Sequence, residues 1–192
     1  PVDKTWQDYV KENRIEITCG EAPYLVSRYD TVTGEEIAIK DRIGLLDRKL
    51  RIISENVDSE PEWFEWAKTA FKSVYGFDWQ GDNVLLAREN LLRTFIDYYI
   101  DKFENFPMIE YLLEIAEIIS WNIWQMDGLK FVIPNSCKSV DETIYTLFGE
   151  ERHKVECLGC KTNDSNKHNG NYCYIMDWST NKRVKFVSLI KR

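Results

Sequence analysis

Short apolar segments with strand character alternate along residues 1–133 with longer segments whose apolar side chains recur at helical spacing. Residues 14–18 and 75–79 suit strands, residues 122–133 suit a strand, a turn and a second strand, and helical patterns fill the intervals between these regions. The order is strand, helices, strand, two helices, strand. Because a parallel strand can be reached only through a crossover connection, this order predicts an α/β fold around a parallel sheet.

The chain has 192 residues, which is enough for one domain with a substantial core and a small appendage. We expect residues 1–150 to form the main domain and residues 151–178 a small insertion. Residues 179–192 are expected to return as a strand to the sheet. Helices are predicted over residues 40–56, from a cap at Asp58 or Ser59 to residue 74, from Asp82 or Asn83 onward and from Pro107 to 119.

Charge and composition exclude several classes of protein. The net charge of −7 shows no basic excess, so the chain by itself is unsuited to gripping DNA phosphates. The longest apolar stretch, residues 115–124, is interrupted by polar side chains and is too short to span a membrane. Five cysteines, an odd number, favour a reducing and therefore cytoplasmic compartment over a disulfide framework.

Three predicted strands end in residues that are common in ligand sites. The first runs into Cys19 and Gly20, the second ends at Asp78, and the third ends near Asp127. Ligands of open α/β sheets bind at the carboxyl ends of strands, where a carboxylate can accept hydrogen bonds from ribose hydroxyls. The alternative is that both aspartates only cap the turns that follow them.

Three ordered motifs resemble those of S-adenosylmethionine-dependent DNA adenine-N6 methyltransferases of bacterial restriction–modification systems. "EITCGEAPYLV" (residues 16–26) is similar to a first motif that commonly reads D-P-A-C-G-S-G-x-F-L. "VYGFDWQGDNVLLARENLL" (residues 74–92) resembles the second motif, an acid at a strand end followed by a helix reading A-R-x-N-L. "NIWQMDGL" (residues 122–129) resembles the third, N-I-x-x-G-D-x-L. The resemblance covers most of residues 14–190.

The resemblance implies a partial Rossmann-like methyltransferase sheet with flanking and inserted helices, and a site for S-adenosylmethionine. The implied cofactor-binding residues are Glu16, Cys19, Gly20, Tyr24, Asp78, Trp79 and Asp127. Glu16 would approach the methionine end of the cofactor, and the Cys19-Gly20 turn would let the backbone come close. Asp78 would hold the ribose, Trp79 would lie against the adenine face, and Asp127 would accept from the adenine amine.

The sequence departs from that family in two places. Ala22, followed by Pro23, stands where the first motif has its second glycine. The Asn-Pro-Pro-Tyr or Asp-Pro-Pro-Tyr tetrapeptide, which binds and stacks on the flipped base, is missing from the chain. No catalytic residue is therefore assigned. We expect the chain to be inactive alone and to act on DNA only when a downstream segment or a second polypeptide completes the enzyme.

A second group of residues lies outside the methyltransferase pattern. "CLGCKTNDSNKHNGNYC" places Cys157, Cys160, His168 and Cys173 in a C-x2-C-x7-H-x4-C arrangement. Three thiolates and one imidazole form a set typical of structural zinc, and the intervening loop has few apolar side chains with which to hold itself together. We predict a zinc-knuckle-like insertion, with reduced and unliganded cysteines in a plain loop as the alternative.

Two classes of function follow from the sequence. The first is the cofactor-binding portion of a DNA adenine-N6 methyltransferase. The second is a non-catalytic, zinc-bearing module for DNA or protein interaction on a degenerate methyltransferase fold, which the Ala22-Pro23 departure favours. Binding of S-adenosylmethionine distinguishes the two.

Overall fold

The computed structural model describes residues 5–147 and 149–190. The chain divides into two compact units, Pro1–Trp124 and Gln125–Arg192. This division lies at Trp124 and not at the expected residue 150, because the segment from Gln125 onward forms its own turns and small sheets. In the part of the chain that the structure describes, no helix is both long and apolar enough to cross a membrane.

The first unit alternates strands and helices in the predicted order. Its elements are α1 (Trp6–Lys11), β1 (Arg14–Ile17), α2 (Leu45–Asn56), α3 (Glu60–Lys72), β2 (Val74–Asp78), α4 (Gly81–Phe103), α5 (Ile109–Asn122) and β3 (Ile123–Gln125). The last residue of β3 is the first residue of the second unit. Helix α2 begins at Leu45, later than the predicted residue 40, and a short 3-10 helix, Ile39–Asp41, precedes it.

The three strands form one parallel sheet in the order β1-β2-β3. Strands β1 and β2 pair from Arg14 opposite Val74 to Ile17 opposite Phe77. The prediction of a mixed α/β fold with a parallel sheet is confirmed. Strand β1 is an edge strand, and its Ile15 and Ile17 side chains are 50% and 57% exposed.

An aromatic cluster forms the core between α3 and α4. Trp63 is fully buried, and its ring centroid lies 5.6–6.0 Å from those of Phe95, Tyr99 and Phe103. Helix α3 begins after Ser59, with Pro61 in its first turn, as the sequence predicts. These aromatic side chains contribute to folding through buried apolar area.

The second unit consists of two small antiparallel sheets and one short helix. Its elements are β4 (Val140–Thr146), β5 (Gly149–Val155), α6 (Leu158–Thr162), β6 (Tyr174–Asp177) and β7 (Lys182–Lys185). Strand β4 pairs with β5, from Val140 opposite Val155 to Thr146 opposite Gly149. We call this pair of strands the ribbon. The sequence patterns did not predict it.

The carboxyl-terminal strand lies elsewhere than expected. Strand β7 pairs with β6 in a separate two-stranded sheet, and the expectation that residues 179–192 return to the main sheet is therefore wrong. The turn at residues 177–182, in which Asp177 accepts from Ser179 and Thr180, joins the two strands locally. A 3-10 helix, Phe186–Leu189, follows β7, and residues 191 and 192 of the predicted strand lie outside the described residues.

Candidate functional site

Four side chains in the second unit converge on one point. The Sγ atoms of Cys137, Cys157 and Cys160 and a ring nitrogen of His168 all lie within 4.8 Å of one another. We call these four residues the metal cluster. Three thiolates and one imidazole are a donor set that structural zinc sites use, so the cluster could hold a metal ion.

The separations between His168 and the three thiols match the edges of a coordination tetrahedron. His168 Nδ1 lies 3.5 Å from the Sγ atom of Cys137 and 3.7 Å from those of Cys157 and Cys160. Zinc bonds of about 2.0–2.3 Å at tetrahedral angles would place neighbouring ligand atoms about 3.5–3.8 Å apart. The four donor atoms therefore already leave space for one ion at their centre.

The ribbon brings two of these ligands together. Cys137 lies three residues before Val140, and Cys157 lies two residues after Val155, which is the pairing partner of Val140. Both cysteines are therefore at the same open end of the ribbon. Cys157 is the N-cap of α6, and Cys160 lies within that helix. The C-x2-C spacing thus presents two thiols from one helical turn.

Two glycines allow the chain to close around the metal cluster. A Cβ atom on Gly159 would lie 2.6 Å from the backbone nitrogen of His168 and 2.7 Å from its Nδ1. A Cβ atom on Gly170 would lie 3.0 Å from Cys137 Sγ. Because real Cβ atoms do not approach other atoms so closely, any side chain at Gly159 would displace His168.

The thiol pKa values differ strongly within the cluster. Burial raises the pKa of Cys157, but hydrogen bonds from the backbone amides of Asn169 and Cys160, together with His168, lower it to about 6. The Asn169 amide nitrogen lies 3.2 Å from Cys157 Sγ. Burial raises the pKa of Cys137 to about 11. Cys157 is therefore a thiolate at neutral pH, which is the form that binds a metal.

The structure confirms three of the four predicted metal ligands as neighbours and replaces the fourth. Cys173 is outside the cluster: its Sγ atom lies 3.5 Å from the Gln125 carbonyl oxygen, to which it donates. The prediction of Cys173 as a ligand is therefore wrong. Its backbone amide donates to the Phe131 carbonyl oxygen, and its carbonyl oxygen accepts from the amide of Phe186, the first residue of the 3-10 helix after β7.

Cys137 is the member of the metal cluster that the sequence patterns did not identify. It lies 20 residues before Cys157 and outside the dense cysteine segment. The hairpin pairing between these two cysteines was the signal that could have identified it. With four protein ligands, a bound zinc would have no open coordination position, so the arrangement suits a structural metal rather than a catalytic one.

In the first unit, the carboxyl ends of β1 and β2 are joined at the predicted turn. The backbone amide of Cys19 donates to the Phe77 carbonyl oxygen over 2.8 Å, and the Gly20 amide donates to Asp78 Oδ2 over 2.9 Å. Gly20 has a φ of 55°, a backbone conformation that favours glycine. The turn and the carboxylate predicted to share a site are therefore in direct contact.

The Asp78 carboxylate already accepts three hydrogen bonds from the protein. Besides Gly20, the Gln80 amide and the Asn83 side-chain amide donate to Oδ1, over 2.8 and 3.1 Å. Because a carboxylate offers about four acceptor positions, roughly one remains for a ligand. Asp78 therefore caps the turn and the start of α4, as in the alternative interpretation. A bidentate grip on a ribose would require one of these bonds to open.

Glu16 has an unusual environment beside Asp78. Its Oε2 atom is buried and has no hydrogen-bond partner among the described residues. Burial, with a smaller contribution from the Asp78 charge, raises the pKa of Glu16 to about 7, although a hydrogen bond with the Leu25 backbone lowers it. Burial likewise raises the pKa of Cys19 to about 12, which makes this thiol inert at neutral pH.

The remaining residues that the resemblance implied lie in different settings. Tyr24 is exposed, and its carbonyl oxygen accepts from the Leu45 amide at the start of α2. Trp79 is partly exposed directly after β2. Asp127 belongs to the second unit, where its Oδ1 accepts from the amides of Leu129 and Lys130 and caps a turn. The cofactor roles of all three stay predictions.

The altered first motif keeps a glycine-like backbone at its second glycine position. Ala22 is fully buried with a φ of 66°, and Thr18 has a φ of 59°. Left-handed residues therefore alternate with others from Thr18 through Gly20 to Ala22. Since only glycine adopts this conformation without steric cost, the buried alanine is held in it by its surroundings.

Two polar residues of helix α4 anchor neighbouring segments of the first unit. Asn90 Nδ2 donates to the Glu21 carbonyl oxygen over 3.0 Å and so anchors the loop after β1. Arg88 donates to the carbonyl oxygens of Ile123 and Ser120, at the start of β3 and the end of α5. The "ARENL" segment is therefore a positioning element in which Ala87 and Leu91 are buried.

Comparisons with models of known protein families, with curated proteins and with solved structures found no match for this chain.

Proposed function

We propose that the first unit is the cofactor-binding portion of an S-adenosylmethionine-dependent DNA adenine-N6 methyltransferase of a restriction–modification system. The observation that supports this most is the hydrogen bond between the Gly20 amide and Asp78 at the carboxyl ends of two parallel strands. A glycine turn beside an acidic residue at this edge is how α/β folds receive nucleotide cofactors. In this proposal, the three-stranded parallel sheet is part of a Rossmann-like methyltransferase sheet.

Glu16 would have a specific role in such a site. A buried carboxyl with one unpartnered oxygen is suited to meet a cation, and the methionine end of the cofactor carries an ammonium group. An arriving ammonium would favour the ionised carboxylate and lower its raised pKa. The glycine-like backbone at Ala22 further supports a retained cofactor loop over a degenerate one.

The catalytic part would come from elsewhere. The chain contains no Asn-Pro-Pro-Tyr tetrapeptide. Strand β1 has an open edge in the described part of the structure, with exposed Ile15 and Ile17. Open apolar strand edges are templates for pairing with a further strand. We propose that another segment or polypeptide supplies the base-binding motif, and that DNA is bound only by the complete enzyme.

We also propose that the metal cluster holds one structural Zn²⁺. The tetrahedral separations around His168 support this assignment, and the low pKa of Cys157 favours zinc over harder cations that prefer oxygen ligands. Metal analysis of the protein purified under reducing conditions should give about one zinc per chain. A value near zero would remove this part of the proposal without affecting the cofactor site.

Calorimetric titration of the full chain with S-adenosylmethionine or its demethylated product tests the cofactor proposal. We expect weak binding that strengthens as the pH rises through the Glu16 pKa, and a loss of that pH dependence in Glu16→Gln. Glu62→Gln, at an exposed position on α3, is the matched control. Asp78→Ala should weaken binding by about 1–3 kcal/mol. A folded wild-type chain that shows no binding at millimolar ligand would favour the non-catalytic, zinc-bearing interaction module.

A further inference from the structure

The ribbon carries exposed apolar side chains that nothing in the described structure covers. Every described side chain of β4 and β5 is exposed except that of Val155, which is partly buried, and that of Thr146, which is left out of the description. Val140 and Ile144 are 55% and 46% exposed, and Leu147 at the turn is fully exposed. A two-stranded hairpin is at best marginally stable in water without a covered face.

The two faces of the ribbon differ in charge. Strand alternation and the pairing register assign six side chains to one face, which we call the acidic face: Val140, Glu142, Ile144, Glu151, His153 and Val155. This face carries the carboxylates of Glu142 and Glu151 and neither lysine nor arginine, and the Glu151 carboxylate lies 3.2 Å from His153 Nε2. The opposite face pairs Asp141 with Lys154 and has Arg152 beside Glu150, so its charges balance.

We propose that the acidic face of the ribbon binds a partner protein whose docking surface carries apolar and basic side chains next to one another. Val140 and Ile144 would make the apolar contacts, while Glu142, which lies between them on this face, and Glu151 would pair with the basic groups. Apolar contacts and charged groups occur together in protein interfaces. The charge asymmetry between the two faces is what selects a basic partner and fixes which face it meets.

The same charges disfavour two other occupants. A ribbon can enter the major groove of DNA, but the segment 140–155 has four carboxylates against two cations, a net charge of −2, and phosphates would repel it. A second copy of the chain, packed face to face through the same surface, would bring Glu142 and Glu151 against identical carboxylates. Like charges placed opposite one another weaken such a pairing.

Binding of defined probes to the full zinc-loaded chain tests the proposal. The probes are two short synthetic peptides, one alternating leucine with lysine and the other leucine with glutamate, and a mixed-sequence DNA duplex. We expect the lysine peptide to bind, the glutamate peptide and the duplex to bind at least about tenfold more weakly, and added salt to weaken the lysine complex.

Neighbouring residues on opposite faces supply matched variants. Glu151→Lys on the acidic face should weaken lysine-peptide binding by about tenfold or more, whereas Glu150→Lys, with the same charge change on the other face, should alter it by less than about threefold. Ile144→Ser removes an exposed apolar side chain from the acidic face and should also weaken lysine-peptide binding. Amide spectra and zinc content confirm that each variant keeps the ribbon folded.

Several results would overturn the proposal. They are no binding of the lysine peptide, equal effects of Glu150→Lys and Glu151→Lys, preference for the duplex, or a concentration-dependent dimer that Ile144→Ser abolishes. The last two would assign the ribbon to DNA and to self-association. None of these outcomes depends on whether the first unit binds S-adenosylmethionine.

Discussion

Replacing Cys137 by serine should remove one of the four proposed metal ligands. The change distinguishes the ligand set seen in the structure, which includes Cys137, from the set that sequence spacing predicts, which includes Cys173. Structural zinc sites of this type contribute about 10–16 kcal/mol of binding free energy, so each ligand accounts for about 3–4 kcal/mol. Serine places a neutral hydroxyl at a position where the structure has a thiol 3.5 Å from His168 Nδ1. We therefore expect zinc affinity to fall by about a hundredfold or more.

Cys173→Ser is the matched control, because both changes exchange one sulfur for oxygen in the same unit. The Cys173 thiol contacts the Gln125 carbonyl oxygen, and burial raises its pKa to about 11. Its replacement should leave zinc affinity within about twofold and cost about 1 kcal/mol of folding free energy.

Competition with a chromophoric chelator under reducing conditions measures both affinities. Cobalt substitution adds an independent reading, since thiolate-to-cobalt absorption should fall in Cys137→Ser and stay unchanged in Cys173→Ser. If Cys173→Ser weakened zinc binding and Cys137→Ser did not, the arrangement of the ribbon and the metal cluster described above would be refuted.

Three further perturbations probe the strained and buried positions. Because burial raises the pKa of Glu16 to about 7, the folded state retains a proton that the unfolded chain has lost, and stability falls as the pH rises from about 4.5 to 7. Glu16→Gln should remove this fall and stabilise the protein by about 1–2 kcal/mol near pH 8, a value reduced for partial exposure, with little effect near pH 4. Denaturant titrations at the two pH values measure both gains, and equal gains would contradict the prediction. Ala22→Gly should relieve the strain of a left-handed backbone and raise the free energy of unfolding by up to about 1 kcal/mol, whereas Ala87→Gly within α4 should lower it by at least about that amount. Equal losses of stability in thermal unfolding would show that the backbone of Ala22 is not strained. Gly159→Ala should reduce zinc affinity by about tenfold or more, because its Cβ atom would collide with His168, while Lys161→Ala in the same helix should leave the affinity unchanged. Equal zinc affinities of the two variants in chelator competition would contradict the close contact between Gly159 and His168.

The order of elements in the first unit could be predicted because local patterns determine it. Strands β1 and β2 lie within one residue of their predicted positions, and Ser59 and Pro61 mark the start of α3. Strand β3 covers only the beginning of the strand, turn and strand predicted over residues 122–133. The contact between Gly20 and Asp78 followed from the rule that parallel strands end at one edge. The sequence patterns could not predict how many hydrogen bonds the Asp78 carboxylate already accepts, because the Asn83 side chain reaches it only through the geometry of α4.

The second unit was harder to predict because its contacts are not local. Cys157, Cys160 and His168 were identified from spacing within 12 residues, but Cys137 reaches them only through the pairing of two polar strands. Those strands have no buried face, so they lack the regular alternation of apolar and polar residues by which strands are recognised. Cys173 has a plausible spacing and a different backbone path, and spacing alone could not distinguish the two cysteines.

Because the metal cluster lies at the open end of the ribbon, the length of the ribbon is independent of the rest of the chain. Strand β4 leads away from the metal cluster and strand β5 leads back to it, and their seven residue pairs extend the ribbon by about 24 Å. Adding matched pairs of residues near the turn would lengthen the ribbon while Cys137 and Cys157 stay in place. Variation in reach would therefore require no accompanying change in any other element of the fold.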